Sequence, residues 1–395
     1  MVTSLAGETV DSARAWLIAT AAALSMFTVF GVAYSFGAFF DSMSDEFDVG
    51  SGATALVFSI TISISFVLGL WTGRASDRFG PRPVMVAGAG LLAAGLLLTA
   101  AAPNIYIGYL TYGAGVGGAV ACGYVPMVST VGGWFERRRA TAMGVAVAGI
   151  GLGTLAGAPL AAAVIDATSW RTTYVAFGIG GSALMLVAAA IARPGPAAVV
   201  TARPRGLGEL LRIADFGRLY GSTIFASLGL FVPFVFIASY AEDGGAGEVA
   251  AATLLGLIGG SSVVGRLGLG ALADRVGPVR LYQLSFAVMA VSHLIRLFAG
   301  DRYALLVVYT VVLGLGYGGF IALSPAVAAS RFGLDGLGGV LGTLYTAAAI
   351  GSLFGPPLAG ILRDELGYDA AIIFATVVSA IAVVILSGLH EQEVL

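Results

Sequence analysis

The chain contains no lysine; all 20 of its basic residues are arginine. Charge of either sign is scarce, at 11% of residues against the roughly 25% of a soluble domain. A single cysteine, Cys122, excludes an internal disulfide and a cysteine-based metal cluster. There is no phosphate-binding loop, no metal-ligand spacing and no nucleophile paired with either of the two histidines. The chain is therefore read as a non-enzyme without cofactor or metal, whose work is not driven by ATP. A net charge of −2 gives no reason to expect a nucleic-acid partner.

What is present is apolar. Hydrophobic residues make up 58% of the chain, and mean hydropathy is +0.94. Such a composition belongs in a bilayer. Apolar runs of spanning length fall near 15–40, 53–73, 83–102, 104–133, 141–165, 171–192, 217–240, 249–271, 281–299, 303–329, 337–362 and 370–389. The 58 glycines suit helices that approach closely in lipid. The first run is preceded by Asp11 and Arg14 and reads as a spanning helix, not a cleaved leader.

Two internal repeats divide the chain. Gly73-Arg74-Ala75-Ser76-Asp77-Arg78-Phe79-Gly80-Pro81 returns 197 residues later as Gly270-Ala271-Leu272-Ala273-Asp274-Arg275-Val276-Gly277-Pro278. Each copy lies between two apolar runs, which places it in a tight turn at the membrane surface. A second match relates Gly153, Gly157 and Pro159 to Gly351, Gly355 and Pro357, 198 residues apart. The fourth and tenth runs share glycines followed by Pro126 and Pro325, where helices are expected to bend. Repeats at half the chain length predict two similar bundles. The expected organisation is a six-helix bundle over 1–192, a polar, proline-containing cytoplasmic linker over 193–216, and a second six-helix bundle over 217–395.

Arginine sets the orientation. With both termini cytoplasmic, 15 arginines face inward and four (Arg171, Arg296, Arg302, Arg363) face outward. Trp134, Phe135 and the run Arg137-Arg138-Arg139 form an interfacial anchor toward anionic lipid. Asp77 and Arg78, with Asp274 and Arg275, are read as gating charges at the inner rim.

Arg266 falls inside the eighth run, eight residues before Asp274. A cation that cannot usefully deprotonate costs at least ~2.5–3.5 kcal/mol in a bilayer interior unless it faces a cavity or a partner. Its helical neighbours at three and four residues are Ser262, Val263, Leu269 and Gly270, none acidic. Two readings follow: a bidentate anchor for a carboxylate ligand, which is favoured, or an ion pair with another helix. Tyr34, Tyr124, Tyr317 and Tyr345 sit at mid-span and could shape a pocket for a small organic anion, although for any single tyrosine ordinary packing is the commoner role. His293, in the ninth run, is read as a structural histidine.

The paired Asp-Arg turns resemble the loop motif of the major facilitator superfamily, and the likeness covers the whole chain. Gly123-Tyr124-Val125-Pro126, Gly132-Gly133-Trp134-Phe135-Glu136-Arg137-Arg138-Arg139, and Ala148-Gly149 with Gly153 are similar to the fourth-to-fifth-helix signature of the monocarboxylate transporter group and its oxalate/formate exchanger relatives. Tyr34-Ser35-Phe36-Gly37 and Tyr345-Thr346-Ala347 resemble their first- and eleventh-helix segments. The resemblance implies an all-α membrane protein, with twelve transmembrane helices in two pseudo-symmetric bundles. It implies alternating access in the plasma membrane, a small monocarboxylate as substrate, proton symport and a monomeric carrier. Arg266 would hold the carboxylate, and Ser262 stands where relatives carry a proton-coupling aspartate. The lysines of those relatives have no counterpart, so one cationic anchor and one substrate carboxylate are expected. An efflux antiporter for drugs or other metabolites, or an organic-anion exchanger, is the alternative; Ala158 interrupts the Gly-Pro pair usual in the antiporter motif.

Overall fold

The computed structural model describes residues 10–195, 207–332 and 337–390, leaving aside the side chains of residues 139, 140, 274, 337 and 338. All regular structure among the described residues is helical. Twelve helical spans are long and apolar enough to cross a membrane.

The first span is composite: α1 (Ala13–Tyr34) passes through a 3-10 turn at Phe36–Phe39 into α2 (Phe40–Phe47). It is followed by α3 (Ser51–Phe79), α4 (Pro81–Ala100), α5 (Ile105–Trp134), α6 (Arg139–Ala167) and α7 (Trp170–Ile191). After a single helical turn, α8 (Leu207–Leu210), the seventh span is again composite, α9 (Ala214–Leu230) then α10 (Val232–Asp243), with Pro233 at its start. The chain continues through α11 (Glu248–Val276), α12 (Pro278–Ala299), α13 (Tyr303–Phe332), α14 (Leu337–Leu366) and α15 (Tyr368–Ser387). The breaks in the first and seventh spans were not expected, since apolar character runs straight through both. The seventh span also begins at Ala214, inside the 193–216 stretch expected to be linker.

Within the first half α1 packs on α5, α6 and α7, α5 on α3 and α4, and α4 on α7. The second half repeats this with α9 on α14 and α15, α13 on α11 and α12, and α12 on α15. The halves meet through two equivalent seams, α3 against α14 and α6 against α11. Small residues make these approaches possible, because without a hydrophobic drive between helices in lipid, close packing must supply the contact energy. A Cβ on Gly149, Gly153 or Gly157 of α6 would strike the backbone of Ala23, Phe27 or Gly31 in α1. The repeated glycines behave alike: Gly351 and Gly355 of α14 lie against Ile224 and Leu228 of α9.

One sequence expectation is corrected. The charged repeats are not loops: α3 runs through Arg74, Asp77 and Arg78, and the turn is Gly80 alone, with φ +84° and Pro81 opening the next helix. Gly277, with φ +99° before Pro278, does the same after α11. These left-handed angles require glycine. Helices α5 and α13 continue through Pro126 and Pro325, with their glycines at helix contacts. Gly115 abuts the backbone of Gly95, and Gly318 that of Ser262. Arg296 is buried in the last turn of α12, its guanidinium carbon 3.3 Å from the centroid of Tyr240.

At the arginine-rich end, Asp11 ties the first segment to the α5–α6 connection. Its carboxylate accepts the backbone N–H groups of Arg137 and Arg138 at 3.1 and 3.2 Å. These bonds, that from Arg137 first, hold its carboxyl below the usual range. Trp134 donates its indole N–H to the Arg193 carbonyl at 3.0 Å.

Candidate functional site

Arg266 is only 6% exposed although it lies in a helix that faces the other half. Its Nη1 crosses the seam and donates to the Val147 carbonyl of α6 at 2.7 Å. Its guanidinium carbon lies 5.6 Å from the ring centroid of Tyr317 in α13. Gly318, next in sequence, brings α13 onto α11 here; a Cβ at Gly318 would meet the Arg266 backbone nitrogen at 2.8 Å.

Nε and Nη2 have no hydrogen-bond partner. Among the described residues no carboxylate pairs with Arg266. One neutral carbonyl and one ring face are weak compensation for a desolvated guanidinium. A cation–π contact is worth about 2 kcal/mol at best when desolvated, whereas stripping water from an ion costs several. Two adjacent free donors match the geometry of a carboxylate.

The tyrosines divide into two layers. Tyr34 and Tyr317, from opposite halves, share a hydroxyl–hydroxyl hydrogen bond of 3.0 Å. Phe234 packs on both, with ring centroids 4.7 Å from Tyr34 and 5.8 Å from Tyr317. Phe58 lies 6.3 Å from Tyr34 on its other side. This layer is sealed: Tyr34, Phe58, Phe234 and Tyr317 are all buried. The second layer, toward the arginine-rich end, is half-buried and holds Tyr124 of one half and Tyr345 of the other. Phe30 bridges the layers, 5.3 Å from Tyr34 and 5.6 Å from Tyr124. Phe66 lies 5.9 Å from Tyr345.

Ser262 is placed differently. It is fully buried, and its hydroxyl donates to the Gly259 carbonyl of its own helix at 2.7 Å. It is one turn from Arg266 but committed to backbone. Asp77, Arg78 and Arg275 are exposed at the arginine-rich end; the Asp274 side chain lies outside the described residues. His293 is buried in the second half, with Nδ1 3.4 Å from the Tyr309 hydroxyl and away from Arg266.

The phenylalanines Phe30, Phe58, Phe66 and Phe234 and the Val147 carbonyl escaped sequence reasoning. A phenylalanine among 22 carries no mark of its role, and a backbone carbonyl carries none at all.

Twelve spans, a two-fold repeat and a buried cation on the seam define a membrane carrier with its candidate site between two bundles. The profile of the Major Facilitator Superfamily matches residues 22–278 and again 219–393, so the chain belongs to that superfamily and is a transporter. It is 33% identical to monocarboxylate transporter 3 of Rattus norvegicus over 377 residues, covering 90% of this chain and 75% of that one. It is 31% identical to monocarboxylate transporter 13 of Bos taurus over 385 residues, covering 93% and 87%. Among solved structures, a bacterial homologue of the human lysosomal transporter Spinster, in an inward-facing and unoccupied conformation, matches with a TM-score of 0.72. At 14% identity over 95% of both chains, that likeness concerns the fold.

Proposed function

We infer that the chain is a secondary carrier for a small monocarboxylate in the plasma membrane, with both termini cytoplasmic and with proton symport. The observation that carries this reading is Arg266: buried on the seam, with two guanidinium nitrogens free of any protein partner. A monocarboxylate would use those nitrogens and set its carbon tail among Tyr34, Phe30, Tyr124 and Tyr345. Neutralising the cation lowers the cost of closing the protein around it. Similarity to monocarboxylate transporters over about 90% of the chain supports the same substrate class. Ser262 is committed to the Gly259 carbonyl, so α11 supplies no carboxylate beside Arg266 to carry the coupled proton. Asp77, Arg78, Asp274 and Arg275 serve as the inner gate, at the arginine-rich end.

The efflux-antiporter reading drew on the glycines of α6, and close packing of α6 on α1 accounts for them. Uptake of labelled lactate, pyruvate and acetate into proteoliposomes, with and without an inward proton gradient, tests the proposal. Accumulation that rises with the gradient supports it. Failure to take up any of the three with folded protein counts against it.

A further inference from the structure

The acidic end of the molecule, outer under the proposed orientation, is where the halves are tied by charge. Helix α3 begins after Gly50, which offers no side-chain cap, and its first turn contains no acidic residue. The positive end of this 29-residue helix is therefore not complemented by its own sequence. The complement comes from the other half. Asp364, near the end of α14, accepts the Ser51 backbone N–H at 2.7 Å. Gly50 lets it approach: a Cβ there would lie 2.9 Å from the Asp364 Oδ2.

Arg363 reinforces the contact. Its Nη1 donates to Ser51 Oγ at 3.2 Å, and its Nη2 lies 3.7 Å from Asp243. Its guanidinium sits 5.6 Å from Phe40 of the first half, and 5.8 and 4.5 Å from Phe236 and Tyr368 of the second. Tyr368 donates to Asp243 at 2.8 Å, which holds that carboxylate in place.

The pseudo-symmetric position shows that this is not a generic feature of the repeat. Helix α11 also starts after a glycine without a side-chain cap, Gly247, but carries Glu248 in its first turn. Asp166, the counterpart of Asp364, is likewise exposed, but no atom lies within 4 Å of where a Cβ on Gly247 would stand, so it does not close on α11 as Asp364 closes on α3. One half complements its own helix end; the other borrows its complement across the seam.

We propose that Asp364, positioned with Arg363, is the outer lock of the carrier, and that breaking its bond to the α3 N-terminus is a required step in opening the outer side. This rests on the reading of the chain as an alternating-access carrier, but not on which substrate it moves. The bond joins rigid helices of opposite halves, so it exists only while their outer ends are together. The bond is charge-assisted and made to a buried backbone N–H, that of Ser51, while Asp364 itself is exposed at the outer surface.

The test uses a Cys122→Ser background with one reporter cysteine in the full-length protein. Ser63→Cys reports the outer side, because Ser63 is buried on the seam, 2.9 Å from the Ala349 carbonyl of the other half. Val128→Cys, at a half-buried position, reports the inner side. An impermeant maleimide is applied from each side of oriented membranes. Asp364→Ala is expected to speed outer labelling by roughly five- to tenfold and to slow inner labelling, as a population shift requires. Asp364→Asn keeps the shape and is expected to give a smaller change in the same directions. Asp166→Ala is expected to leave both rates as in the parent. Unchanged rates in both Asp364 variants would overturn the proposal. So would a rise on both sides together, the signature of general loosening. The labelling uses no substrate, so failure to transport monocarboxylates would leave its outcome intact.

Discussion

The two halves of the chain share a scaffold and differ where function is concentrated. Under the 197-residue offset of the repeat, Arg266 of α11 corresponds to Gly69 of α3. Gly69 is buried, with Val125 3.0 Å from where a Cβ would stand, so that site has no room for a long cation. The same offset pairs Glu248 with Ser51, and an offset one residue longer pairs Asp364 with Asp166. Conserved between the halves are the glycines that set helix spacing and the Gly-Pro turns that reverse the chain. The Asp-Arg pairs before those turns are shared as well. What differs is the buried cation, Arg266 against Gly69, and the charge at the helix start, Glu248 against Ser51. A duplicated bundle supplies two equivalent walls, and Arg266 on one wall alone makes their seam asymmetric.

Removing the unpaired charge is the largest perturbation available. Arg266→Ala deletes a charged donor pair, each such bond being worth about 1.5–3 kcal/mol, so uptake of a monocarboxylate substrate in proteoliposomes should fall by roughly 100-fold. Arg266→Lys keeps the charge without the planar fork and should retain residual uptake. Next in size, Ser262→Asp would give α11 its own carboxylate one turn from Arg266. The two should pair, and uptake at neutral pH should drop about tenfold, within the range of a lost charge-assisted bond. Protonating the new carboxylate frees the arginine, so the deficit should shrink as pH falls; a constant deficit would mean that the substitution acts through packing.

A smaller effect is expected from Tyr317→Phe, which deletes the hydroxyl bonded to Tyr34 but keeps the ring under Arg266. A net loss of about 0.5–1.5 kcal/mol corresponds to a roughly two- to tenfold change in apparent affinity. Smallest of all is His293→Gln. That residue lies in the packing of α12 with α13, so the pH profile of uptake should keep its shape. A displaced profile would make His293 part of proton coupling.

How far the sequence could be read follows from what each feature needs in order to show itself. Membrane spans need only summed hydropathy, and all twelve are found by it. The internal repeat needs only identity at fixed spacing. Arg266 was legible because a charge inside an apolar run is costly wherever it points. The breaks after Tyr34 and Leu230 were missed because apolar residues continue across each of them; Pro233, at the start of α10, was the one signal the second offered. The burial of Arg296 was not legible, because charge near a span's end looks the same whether it meets water or lies on the ring of Tyr240. The Asp364–Ser51 bond was illegible for another reason. Its partners are 313 residues apart, and one of them is a backbone N–H.

The central claim is that Arg266 keeps two guanidinium nitrogens for a substrate carboxylate. A structure of the protein determined with a bound monocarboxylate tests it most directly. Carboxylate oxygens are expected within hydrogen-bonding distance of Nε and Nη2 of Arg266, with the carbon tail against Tyr124 and Tyr345. A ligand seated elsewhere, or an aspartate or glutamate side chain occupying those two nitrogens in the bound state, would contradict it.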